Sequence, residues 1–115
     1  MHTKPRFLQG VFPFGGQGLE KSVPIDETLR YEVPFGVTAQ ALYFRGGNWA
    51  DELVTVVLLR GGVPMRYFPI GARASVHVPL TVVEDLDGGT ALELQLIAPE
   101  GVNGSLVVDF GLVEV

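Results

Sequence analysis

Runs rich in Val, Leu, Phe and Tyr recur along the chain, separated at intervals of roughly ten residues by clusters of Gly, Pro, Asn and Asp, which is the spacing of an all-β sandwich or barrel. The pattern predicts eight strands: Arg6–Phe12, Thr28–Val33, Ala39–Arg45, Leu53–Arg60, Val63–Ile70, Ala74–Leu80, Thr90–Ala98 and Leu106–Val115. Helical periodicity is weak, and its best candidate, Thr81–Leu86, has room only for a turn of 3₁₀ helix or a loop. Arg60-Gly61-Gly62-Val63 reads as a tight hairpin, because glycine adopts the positive φ that a two-residue primed turn requires. Asn103-Gly104 is a second hairpin signal, joining Thr90–Ala98 to Leu106–Val115 through the loop Pro99–Gly104. Gly46-Gly47-Asn48 and Asp87-Gly88-Gly89 read as turns, and residues 15–27, which lack alternation, read as a long Greek-key connection after an N-terminal strand or arm. The expected fold is a single antiparallel β-sandwich or jelly roll spanning residues 1–115.

Alternation also predicts which faces are wet. In Thr28–Val33, Leu29, Tyr31 and Val33 share one face while Thr28, Arg30 and Glu32 share the other. Leu53–Leu59 is apolar on both faces apart from Thr55, and Leu106, Val107, Val108, Phe110, Leu112 and Val113 form a similar run. A sandwich strand has one inner face, so a second apolar face calls for a second cover. That cover could be another subunit, a partner protein, or a folded-back arm carrying Phe7, Leu8, Val11, Phe12 and Phe14. Burying each such side chain contributes roughly 1.5–3 kcal/mol, so leaving several exposed invites aggregation. The sequence therefore points to a homo-oligomer with Leu53, Val57, Leu59, Leu106, Val108, Phe110 and Leu112 in the interface.

Composition narrows the function classes. The chain has 115 residues, 47% hydrophobic and 18% charged, enough for one small domain with a single core. A formal charge of −5 argues against nucleic-acid partners, whose binding depends on a Lys/Arg surplus. The absence of Cys removes disulfides, thiolate nucleophiles and Cys-containing metal sites. The basic start is not followed by a continuous apolar stretch, and runs such as Val56–Leu59 are far short of a membrane span, so no membrane association and a cytoplasmic location are expected.

Candidate chemistry is sparse. His2 lies near the N-terminus, and His77 falls on the polar face of its strand with Ser75, where it reads as a surface side chain or, with Arg73, as a binding group. No nucleophile elbow surrounds Ser22, Ser75 or Ser105. Asp85 and Asp87 before Gly88 open like a calcium loop, but the later ligands are missing and a solvated turn is the better reading. Gly15-Gly16-Gln17-Gly18 lacks the helix and Lys-Ser/Thr pair of a phosphate cradle. Trp49 stands apart from the other aromatics because its surroundings, Arg45, Asn48 and Asp51, suit a ligand-stacking or interface platform. The candidate ligand site is therefore Trp49, Asn48, Arg45, His77 and Arg73, with no catalytic residue, metal or cofactor assigned.

Two family resemblances bear on these readings. Leu53–Leu80, with its Gly-Gly turn, Pro64, Tyr67 and the run Ile70-Gly71-Ala72-Arg73-Ala74-Ser75-Val76-His77-Val78, resembles the sensory rhodopsin transducer family. That resemblance implies a small oligomeric β-sandwich likened to carbohydrate-binding folds. Phe7–Phe14, Leu42–Arg45, Pro64–Ala72, Val76–Leu80 and Val82–Leu86 are similar to short bacterial proteins labelled "molybdopterin oxidoreductase". The label implies catalysis, yet a chain this short with no Cys and no dinucleotide-type motif is an implausible host for a molybdopterin and a substrate pocket, so an accessory or assembly role beside such an enzyme is the more defensible implication of the resemblance. The leading expectation is thus a non-catalytic homo-oligomeric accessory or structural interaction module, with or without a further protein partner. A small-ligand or carbohydrate-binding module and a virion decoration-type assembly protein are the alternatives.

Overall fold

A computed structural model describes residues 3–80 and 84–115, so His2 and the first half of the Thr81–Leu86 turn candidate lie outside the described residues. Among the described residues, ten strands build two antiparallel sheets that pack face to face, and no helix occurs. They are β1 (Lys4–Gly15), β2 (Gly18–Pro24), β3 (Arg30–Glu32), β4 (Ala39–Asn48), β5 (Val54–Arg60), β6 (Val63–Ile70), β7 (Ser75–Pro79), β8 (Asp85–Leu86), β9 (Ala91–Ala98) and β10 (Asn103–Glu114). The first sheet runs β1-β10-β4-β7, with β8 continuing the β7 edge of β4, and the second runs β2-β9-β5-β6, with β3 continuing the β2 edge of β9.

Period-two alternation fills the space between the sheets. Leu106, Val108, Phe110 and Leu112 of β10 face Val54, Val56 and Leu58 of β5 and Leu92, Leu94 and Leu96 of β9 across one continuous core. Phe44 and Phe68 stack across it, with ring centroids 4.3 Å apart and planes within 9° of parallel. A bulge changes the phase of β4: Gly111 pairs with Tyr43 but Leu112 pairs with Ala41, so Leu42 is the extra residue and protrudes. Ala39 and Ala41 before the bulge, and Phe44 and Asn48 after it, thereby all point inward.

Several expectations need correction. Leu106, Val108, Phe110 and Leu112 offer no second face; they are the inner row of β10 and are at most 1% exposed. Val57 and Leu59 do lie on the outer face of β5, but within this one chain they are already 1% and 5% exposed. Val57 is flanked in register by Tyr67 and Gln95, and Leu59 by Pro64 and Glu93, so both sit on a central strand with a neighbouring strand on either side. Of the seven expected interface residues, only Leu53 is exposed. The 15–27 connection contains β2, whose pairing with β9 is interrupted between Gly18 and Val23; that irregularity erases the alternation a regular strand would show. Asp85-Leu86 is a short strand rather than part of the 3₁₀ turn or loop expected there. The Gly-Gly hairpin forms as expected, with φ of 58° at Gly61 and 82° at Gly62. Asn103-Gly104 makes no hairpin: both residues belong to β10, and β9 and β10 lie in different sheets. Gly46-Gly47 is likewise strand, because a side chain at Gly46 would come within 2.6 Å of Ile70 and 2.8 Å of Phe44 in the core.

One end of the sandwich is tied by a polar cluster. Glu114, the inward residue closing β10, accepts a hydrogen bond from the Tyr31 hydroxyl of the opposite sheet and pairs with Arg6 of β1 at 3.1 Å. These two partners, Tyr31 first, hold the Glu114 carboxyl below its ordinary value of 4.5. Burial, reinforced by the bond to Glu114, pushes the Tyr31 phenol up to about 12. A depressed carboxyl contributes its stability above the unfolded value and loses it as pH falls through the folded one; a raised phenol contributes below pH 10 and loses it as pH climbs toward its folded value. Melting temperature measured against pH should therefore fall below about pH 4.5 and again above pH 10. Glu114→Gln should flatten the acid limb, and an unchanged acid limb in that variant would exclude this cluster as its source.

Candidate functional site

The outer face of the first sheet carries the side chains that alternate with the core rows. Register places them in three ranks across four strands: Phe7, Gly111, Tyr43 and Pro79; Gln9, Asp109, Arg45 and His77; Val11, Val107, Gly47 and Ser75. Trp49 follows at the end of β4, its N–H bonded to the Ser105 carbonyl at 3.0 Å, which continues the β4–β10 ladder for one more residue. The indole is 59% exposed. Trp49, Arg45, His77, Ser75, Gly47 and Val107 surround an open recess of about 410 Å³.

Backbone and side-chain packing both shape this recess. Gly111 lies under the Tyr43 ring, where a side chain would collide with ring carbons, so the phenol lies flat against the sheet. The Tyr43 hydroxyl donates to Asp109 at 3.0 Å, and burial followed by this bond raises the phenol above its ordinary value. The Arg45 guanidinium lies 5.0 Å from the centroid of the same ring, and His77 meets it edge-on at 6.2 Å. Gly47 differs from its neighbour Gly46: a Cβ here would make only ordinary contact with Val107, at 3.5 Å, and its φ is not left-handed. Nothing in the fold demands glycine at 47, and its missing side chain leaves the floor of the recess open.

Electrostatics single out Arg45. The other five arginines each lie within 4 Å of a carboxylate, in the pairs Arg6–Glu114, Arg30–Glu93, Arg60–Glu84, Arg66–Glu84 and Arg73–Asp51. Among the described residues Arg45 alone has no such partner and is held instead by the aromatic face beneath it. A planar cation with its donors open to solvent suits hydroxyl or anionic oxygens on a ligand.

Of the five candidate ligand residues, the structure brings together Trp49, Arg45 and His77. Asn48 is corrected to a structural role. It is wholly buried, its amide N–H₂ donating to the carbonyls of Glu52, Ile70 and Gly71, and its oxygen accepting from the Ala50 N–H. Arg73 is also displaced from the site: at φ 52° in the neighbouring turn, it pairs with Asp51 at 2.6 Å on the open surface and does not line the recess. Tyr43, Ser75, Gly47, Val107 and Asp109 were not singled out by sequence reading. Tyr43, Arg45, Gly47 and Trp49 are spaced by two, a signal hidden by reading Gly46-Gly47 as a turn. Among the described residues no group of three or more His, Cys, Asp or Glu side chains is arranged to hold a metal ion.

Comparison with known proteins places the fold. No protein-family model matches the chain, and no curated protein matches it. Among solved structures, it is similar to the CBM36-1 domain of a multidomain xylanase from the hindgut metagenome of Trinervitermes trinervoides, at 18% identity and a TM-score of 0.58, with 96% of each chain covered. It is also similar to a chain in the structure of infectious bursal disease virus Gt strain, at 9% identity and a TM-score of 0.52, covering 97% of this chain and 32% of that one. At such low identity these likenesses establish the two-sheet β-sandwich architecture and no more.

Asn48 ties the carbonyls of Glu52, of Ile70 at the end of β6 and of Gly71 just after it to the start of the Trp49 segment. Asn48→Ala should remove about 2–3 kcal/mol of unfolding free energy, since several buried partners lose their bonds together. Urea unfolding would measure this, and a loss well under 1 kcal/mol would show that water or loop movement replaces the amide.

Proposed function

We propose that this chain is a non-catalytic binding module whose first-sheet outer face takes a saccharide or a similar polyhydroxylated ring. The observation that carries this reading is the unpaired Arg45 guanidinium beside the exposed Trp49 indole, over a floor left open at Gly47. Sugar rings combine an apolar C–H face with a rim of hydroxyls, so they are matched by an aromatic surface flanked by a few fixed polar groups. Trp49 and Val107 supply the apolar surface; Arg45, His77 and Ser75 supply donors and acceptors around it. Further support is the fold's likeness to a CBM domain, a carbohydrate-binding module carried by a xylanase.

This reading displaces the accessory homo-oligomer from first place, because most of the residues on which that expectation rested are interior. Self-association needs another surface, and no observation favours a virion assembly role beyond a shared fold.

Trp49 is the single tryptophan, so its emission reports directly on the recess. Titration with soluble xylo-, cello- and manno-oligosaccharides should give a saturable change for at least one series. Arg45→Ala and Gly47→Val should each weaken that binding about tenfold or more, equivalent to ~1.4 kcal/mol, while leaving the circular dichroism spectrum unchanged. Absence of any saturable response across the three series would overturn the saccharide reading.

A further inference from the structure

We infer that a second copy of this chain pairs with the free edge of β1, in an antiparallel register centred on Gln9, to form a two-fold dimer. Among the described residues β1 pairs with β10 on one side only and is the outermost strand of its sheet. In an antiparallel ladder, hydrogen-bonded and non-bonded residue pairs alternate. The β1–β10 register continues to Gly16 opposite Val102, and the Gly16 N–H bonds to the Val102 carbonyl at 2.6 Å. Even-numbered residues of β1 are therefore the ones bonded to β10, and odd-numbered residues aim their backbone groups at the open edge. Pro5 and Pro13 both stand on this odd phase, where a missing N–H leaves the β10 ladder intact. Between them, Phe7, Gln9 and Val11 each present a free N–H and C=O outward, with Phe7 53% and Val11 58% exposed.

The spacing is symmetric about Gln9. Phe7 and Val11 stand two residues to either side, and Pro5 and Pro13 four, the arrangement a two-fold contact requires because each strand must complement its own reverse. Centred there, Gln9 meets Gln9 of the second copy and Phe7 meets Val11 of the second copy, so that three residue pairs each exchange two N–H···O bonds and two aromatic–β-branched pairs form on the outer face. Sliding by two residues in either direction would set a proline opposite a residue needing a donor, so the prolines both end the pairing and fix its register. The other edge of this sheet is poorer: β7 aims only Ser75, His77 and the donorless Pro79 outward, its even residues being bonded to β4 as the Leu80–Leu42 and Asn48–Ala74 bonds show. In the dimer the two sheets join edge to edge and both Trp49 recesses open on the same side, where a polymeric ligand could engage both. The dimer itself stands independently of what the recess binds.

Light scattering of the purified protein across micromolar to submillimolar concentrations should approach twice the 12.4 kDa chain mass. Gln9→Pro removes the central outward N–H on a phase that already tolerates proline, and should return the mass to 12.4 kDa with the fold retained. Because the chain has no Cys, Gln9→Cys offers a second measurement that needs no change to the backbone. Directly opposed residues in a bonded pair lie about 5.5 Å apart, within disulfide reach, so that variant should oxidise to a covalent dimer, whereas Ser75→Cys on the opposite edge should not. A monomeric wild-type protein throughout the range, a Gln9→Pro variant that folds and still dimerises, or equal cross-linking at the two positions would each overturn the proposal. Loss of the oligosaccharide response with dimerisation intact would count against the ligand reading alone.

Discussion

The packing of the inner row of β10 against β5 and β9 is the constraint on which the rest of the molecule depends. Leu106, Val108, Phe110 and Leu112 are all but inaccessible to water, as are Val54, Val56, Leu58, Leu92, Leu94 and Leu96 opposite them. At roughly 1.5–3 kcal/mol for each buried side chain, no other set of contacts in a chain of this size competes with it. Period-two geometry then has a strict consequence. Once even residues of β10 are committed to the core, Val107, Asp109 and Gly111 must face outward, and the ladders to β1, β4 and β7 carry that division across the sheet. The candidate binding face is thus the reverse side of the core, positioned by the same register.

That outer face is built from compromises the interior would not tolerate. Tyr43 lies flat because Gly111 beneath it has no side chain, and the flattened ring in turn gives Arg45 a surface to rest on without a carboxylate partner. Asp109 is occupied by the Tyr43 hydroxyl, so it orients the ring rather than neutralising the guanidinium by direct contact. The result is a cation kept in place by an aromatic face with its hydrogen-bonding capacity open, next to an indole that the core does not need. Asn48, one residue before the indole, works from the other side of the sheet by tying Glu52, Ile70 and Gly71 to the strand end.

The distribution of proline gives the sheets their boundaries. Six of the eight prolines lie in strands, and all six are on the outermost strands β1, β2, β6 and β7. A central strand cannot give up ladder donors, whereas an edge strand on its free phase loses nothing and becomes a worse template for uncontrolled association. In β1 the two prolines are far enough apart to leave a short window between them, so the same device that limits edge pairing also defines where it can occur.

Much of this architecture was legible from the residues alone. Strong alternation with turn punctuation identified the sandwich and most of its strands, and the Gly61-Gly62 hairpin followed from backbone sterics at two adjacent residues. Trp49, Arg45 and His77 stood out by side-chain chemistry and do meet in space. Local pattern could not say which apolar rows belong to one core: Leu106–Leu112 and Leu53–Leu59 looked doubly apolar, whereas the strands flanking buried Val57 and Leu59 on either side are invisible in a single segment. Nor could it distinguish a glycine that turns the chain from Gly46, which lets two sheets approach, since that role is set by Ile70 and Phe44. The sequence by itself determined strand content, the Gly61-Gly62 hairpin and the supply of candidate binding groups, all properties of residues within a few positions of one another. Tertiary structure alone decided that Asn48 faces inward, that Tyr43 and Asp109 support Arg45, and that β9 and β10 part into different sheets, because each depends on contacts between segments far apart in the chain.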